Sequence, residues 1–117
     1  MKKILVTVTL LTIIIISCSK DNGGGGGGTP LDCNTVSNKA FAADVDPIIQ
    51  STCNTAGCHA SGSVNGPGPL TNYNQVFNAR NAVRTAVASG NMPRNTTLSA
   101  SQKNSFLCWI DSGAPNN

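Results

Sequence analysis

The stretch Cys53-Asn54-Thr55-Ala56-Gly57-Cys58-His59 sets two cysteines five positions apart and a histidine directly after the second. Three chemistries use these residue types: a local disulfide, a metal site and a covalent haem anchor. A zinc site needs four ligands arranged as a tetrahedron. The adjacent pair Cys58 and His59 suits that shape badly, and the paired spacing of zinc motifs is missing. A disulfide between Cys53 and Cys58 satisfies the thiols and leaves His59 without a role. A haem anchor uses all three residues, two as thioethers and the histidine as an axial ligand. Its usual form is C-x-x-C-H, whereas four residues intervene here. On this stretch alone the disulfide and the haem anchor both stand.

The surrounding sequence divides the chain into three parts. Residues 1–17 begin with two lysines and an apolar run from Ile4 to Ile16. That run is too short to span a bilayer, which takes about 20 residues, and reads as a secretory signal. Its ending, Ile15-Ile16-Ser17-Cys18, resembles the bacterial lipobox, which implies cleavage before Cys18 and acylation of its thiol. Residues 18–30 include six consecutive glycines, Gly23 to Gly28. This composition makes a flexible tether with a reach of about 20 Å. Residues 31–117 form the head, a length that fits one domain. The expected location is the cell envelope, with the exported head lipid-anchored to a membrane on its periplasmic face or at the cell surface.

The head carries Lys39, Arg80, Arg84, Arg94 and Lys103 against Asp32, Asp44, Asp46 and Asp111, a net charge of +1. It has no basic cluster interleaved with aromatics, so nucleic acid is not an expected partner. Large apolar residues are few: Trp109, Tyr73, Phe41, Phe77, Phe106 and a modest set of aliphatics. A domain this small commonly needs a staple or a bound group to complete its core.

Three segments read as helices. In the first, Asp46 is placed to cap and Pro47 to take the first helical position. Ile48 and Ile49 then face inward, and the helix delivers the chain to Cys53. In the second, Tyr73, Val76, Phe77, Val83 and Val87 share one face. Asn72 and Gln75 form a start resembling a capping box, and Gly90 makes a left-handed stop. In the third, Ser99 and Gln102 fit a capping box, Phe106, Leu107, Trp109 and Ile110 supply the buried side, and Gly113 with Pro115 ends the helix. The glycine- and proline-rich run from Ala60 to Leu70 reads as an irregular loop. No alternating pattern long enough for a strand is visible, so the head is expected to be all-α.

Met92 sits in Ser89-Gly90-Asn91-Met92-Pro93-Arg94, just after a helix stop and just before a proline. A core methionine more often takes a periodic helical position. A methionine held out on a turn suits a sixth iron ligand, and His/Met coordination belongs to cytochromes c.

The order of these motifs, from Val45 through "CNTAGCH" and "SGNMP" to "LSASQKNSFLCWIDSGAP", resembles the short monohaem cytochrome c domains of bacterial lipoproteins and exported proteins. The ligand order is similar to class I, and the resemblance covers residues 31–115. It implies a small fold of three to four helices around one covalent haem c. Cys53 and Cys58 would attach the haem, with His59 and Met92 as its axial iron ligands. It implies electron transfer to redox protein partners and no catalysis of its own. Because first and last helices pack together in class I cytochromes, it also implies a disulfide between Cys33 and Cys108. Trp109, Phe106, Tyr73 and Phe77 are candidates for packing against the porphyrin, with ordinary core packing as the alternative. Arg84 or Arg94 would face a propionate, unless they are simply solvated. The sequence departs from the class I pattern in its longer attachment loop and in the short His59–Met92 spacing of 33 positions. His59 and Met92 are expected to face each other across a flat apolar slot. Its walls would be the Tyr73–Val87 helix, the Gly62–Leu70 loop and the Leu98–Pro115 segment. Two other readings stay open: a disulfide-stapled binding module without haem, and a haem-based sensor or peroxidase-like domain. The second would need a distal acid–base residue, and His59 is the chain's one histidine.

Overall fold

The first helix begins earlier than its cap signal suggests. In the computed structural model, which describes residues 30–117, it starts at Phe41 and continues to Cys53 through the stretches Phe41–Val45, Asp46–Ile48 and Ile49–Cys53. This run, residues 41–53, is α1; α2 is Tyr73–Ser89 and α3 is Ala100–Asp111. Among the described residues there is no strand, consistent with an all-α head. The proposed signal (1–17), the lipidated Cys18 and all but the last residue of the tether (18–30) lie outside the described residues.

Asp46 does not cap α1. It lies inside the helix and accepts from the Gln50 side chain at 2.8 Å. The N-terminal donors are met instead by Asp44, whose carboxylate accepts from Ala40 N at 2.8 Å, and by Asn117. Asn117 accepts from Phe41 N through Oδ1 at 2.9 Å and from Ala42 N through its backbone oxygen at 2.8 Å. Pro47 therefore stands mid-helix, where it lacks an N–H and its ring crowds the preceding turn. The helix accommodates it with widened turns on either side. Asp46 N reaches back to Phe41 O, and Asn54 N to Ile49 O, five residues in each case. Such π-type turns are rare and make room where the ordinary ladder cannot close. Ser51 and Thr52 hydroxyls donate to the Pro47 and Ile48 carbonyls at 2.8 and 2.6 Å.

The other boundaries follow local signals. Asn72 accepts from Gln75 N at 3.1 Å, while Gln75 reaches back to Thr71 N at 2.8 Å, one residue before the cap. Gly90 ends α2 with φ of 77°, a conformation that is cheap only for glycine. Ser99 and Gln102 form a complete capping box at α3.

The three helices close on one core. Phe41, Val45, Ile48 and Ile49 come from α1, Val76, Val83 and Val87 from α2, and Phe106 through Ile110 from α3. Phe41 stacks at a tilt on Trp109 with centroids 5.2 Å apart and meets Tyr73 edge-on at 5.0 Å. First and last helices thus pack directly, and a Cys33–Cys108 disulfide ties the segment before α1 to the middle of α3. The chain then turns back at Gly113 and Ala114, held by Trp109 Nε1 donating to Pro115 O (2.8 Å) and Tyr73 Oη donating to Ala114 O (2.9 Å).

Candidate functional site at the Cys53 to His59 loop

Helix α1 ends on Cys53, and the next six residues form a tight loop that brings His59 back beside it. Cys58 N donates to Thr55 O, and His59 N donates to Cys53 O, each at 3.0 Å. Gly57 takes φ of 79°, so a glycine at this corner avoids the strain a side chain would bring. Leu70 N donates to His59 O at 2.8 Å, docking the returning loop against the same residue.

His59 is buried, with 7% of its surface exposed. Its Nδ1 lies 2.8 Å from the carbonyl oxygen of Gly68. A carbonyl only accepts, so Nδ1 carries the hydrogen, and in the ring's neutral form the lone pair is on Nε2. A backbone carbonyl on the far nitrogen is the usual way a metal-ligating histidine is fixed in tautomer and orientation. No buried side-chain nitrogen or oxygen among the described residues lacks a partner. Nε2, which makes no hydrogen bond among the described residues, is therefore the part of the ring that keeps some exposure.

With Cys33 and Cys108 bonded, Cys53 and Cys58 are the free thiols among the described residues. Burial pushes the Cys53 thiol upward. The Thr52 hydroxyl, 3.5 Å from the sulfur, opposes this weakly, and the charge of a nearby Cys58 thiolate adds to the rise. Cys53 is thus held as a neutral thiol beside a second one. Among the described residues no three His, Cys, Asp or Glu side chains converge as a metal-binding group. The two thiols and the imidazole are neighbours in the chain, but they do not offer a common tetrahedral centre.

Met92 is half-buried, with its N–H donating to Ala86 O at 3.2 Å across the end of α2. It lines a cavity of about 90 Å³ with Val87, Pro93, Leu98 and Lys103. A larger, open cavity of about 440 Å³ lies beside Cys58, formed by the loop from Ala56 to Asn65. The two share no lining residue, and neither sets His59 opposite Met92, so neither is the expected slot. The core beside them is closed. Phe106 and Trp109, candidates for porphyrin packing, are 0% exposed and meet edge-on at 6.1 Å. Apolar faces that can reach one another bury one another.

The remaining candidates lie nearer the surface. Arg84 makes a two-pronged pair with Asp111 at 2.6 and 2.8 Å, which occupies it. Arg94 is exposed and makes no ion pair among the described residues. Tyr73 and Phe77 stay half-buried, and Arg80 covers the Phe77 ring at 4.1 Å from its centroid.

Sequence reasoning missed Gly68, which acts through its backbone oxygen and so leaves no mark in residue type. The available signal was its place between Pro67 and Pro69, which stiffens the loop around that carbonyl. Comparison of the chain with protein-family models, with curated proteins and with solved structures finds no match. Among the described residues no helix is long and apolar enough to cross a membrane.

Proposed function

We propose that this head is a monohaem c-type cytochrome domain that carries electrons between redox protein partners, exported and held at a membrane by a lipid on Cys18. The observation that carries the reading is the His59 ring. It is buried, its Nδ1–H is committed to Gly68, and its Nε2 makes no hydrogen bond among the described residues. One free thiol, Cys58, stands directly before it and a second, Cys53, six positions before it, while the other two cysteines of the head are bonded to each other.

The residues fit haem c. Cys53 and Cys58 would hold it through thioethers, and His59 Nε2 would ligate its iron. Once bound, the group supplies a one-electron couple. The protein's own part is to fix His59 in one tautomer, to strengthen that nitrogen through the Gly68 hydrogen bond, and to keep Cys53 a protonated thiol. Met92 enters as the other axial ligand from its order in the sequence and its placement on a turn, not from its distance to His59. Packing of α1 on α3 through Phe41 and Trp109 supports the same family resemblance.

The test is maturation with a c-type haem-ligation system. The wild type should keep its colour on a denaturing gel, and Cys53→Ala with Cys58→Ala should lose it. His59→Ala should abolish the low-spin spectrum. A colourless wild type, matured alongside a control cytochrome that does take up haem, would overturn the reading in favour of a disulfide-stapled head.

A further inference from the structure

The attachment loop is two residues longer than the usual form, and a longer loop holds its second thiol less firmly unless something pins it. Two side chains do so from outside the motif. Asn65 Nδ2 donates to Gly57 O at 2.9 Å and to Cys58 O at 3.1 Å. The Ser63 hydroxyl donates to Cys58 O, and Asn65 N donates to Ser63 Oγ at 3.2 Å, linking the two into one clamp. Asn65 is exposed, and its neighbour Val64 is 97% exposed, so the clamp is not a by-product of core packing. The next hydrogen-bonded point on the same loop is Gly68, which holds His59.

We propose that Ser63 and Asn65 are positioning residues for the second covalent attachment: they fix the Gly57–Cys58 backbone so that the Cys58 thiol is presented together with Cys53 and His59. This rests on the haem c reading above. In the attachment the Cys58 S–H bond adds across a vinyl C=C of the haem. Sulfur bonds to one carbon and the hydrogen goes to the other, so no oxidant or reductant is consumed. The clamp acts on where that thiol lies, not on its reactivity.

The experiment is maturation of wild type, Asn65→Ala, Ser63→Ala/Asn65→Ala and Ser63→Thr with the same ligation system, followed by denaturation, iodoacetamide alkylation and peptide mapping. In the wild type neither Cys53 nor Cys58 should alkylate. In the Asn65→Ala and double variants haem should stay on Cys53 while most of Cys58 alkylates, and the pyridine haemochrome band should shift to that of a singly attached haem. Ser63→Thr, which keeps the hydroxyl, should behave as wild type. A generally unfolded variant is recognised by alkylation of Cys33 and Cys108, and the exposed single variant Asn65→Ala then carries the decision. Two intact thioethers in folded Asn65→Ala and double variants would overturn this inference alone. Alkylation of both thiols in a haem-free wild type would overturn the haem reading and this inference with it.

Discussion

Removing Cys33 by Cys33→Ala should lower the melting temperature of the head by roughly 15–30 °C. The disulfide joins positions 75 residues apart, so nearly the whole head lies within the loop it closes. In the chain-entropy account, closing a loop of that length removes about 4 kcal/mol worth of freedom from the unfolded chain. A domain of this size has a total stability on the order of 5 kcal/mol, so the loss is most of what holds it. The choice of Cys33 isolates the cross-link. Cys108 is fully buried in α3 and its sulfur fills core space, so changing it would add a cavity cost to the same measurement. Cys33 is only half-buried and can be cut back with little repacking. The assay is thermal unfolding followed by circular dichroism on haem-free protein, comparing wild type and variant without reductant. Adding reductant to the wild type should bring it toward the variant. If the two melt within about 5 °C of each other, the loop-entropy reasoning fails for this chain.

Met92→Ala should leave the haem attached, lower its reduction potential, and open the iron to carbon monoxide. A redox titration and a carbon monoxide difference spectrum would check this, and an unchanged potential with no carbon monoxide binding would remove Met92 as a ligand. Trp109→Ala should cost about 3–5 kcal/mol, from a fully buried ring and a neighbour to Phe41 and Phe106. Trp109→Phe should cost about 1–3 kcal/mol, because the Pro115 carbonyl loses its donor. In haem-free protein the Cys53 thiol, raised by burial, should alkylate more slowly at neutral pH than the same cysteine in urea. Its rate should keep climbing at pH values where an ordinary thiol has levelled off, since the thiolate is the reactive form.

The places where sequence and structure agree are those decided within three or four residues. Ser99 and Gln102 satisfy each other across one turn, so the start of α3 is set wherever the chain goes. Gly90 stops α2 because its left-handed backbone is cheap only without a side chain. The spacing of Val76, Val83 and Val87 needs no partner to define a face, and the order of thiols, imidazole and Met92 is a property of the chain itself. The tertiary structure decided what depends on contacts made from far away. The start of α1 moved to Phe41 because Asn117, 76 positions on, caps it. Pro47 then had to be carried inside a helix by widened turns. The tautomer of His59 is set by an oxygen on the Gly68 backbone, and the Cys58 carbonyl by Ser63 and Asn65 from the following loop. The fate of the aromatic residues was likewise a matter of packing. Sequence marks Phe106 and Trp109 as buried but not what buries them, because burial is non-directional and is settled by whichever apolar faces the folded chain brings together.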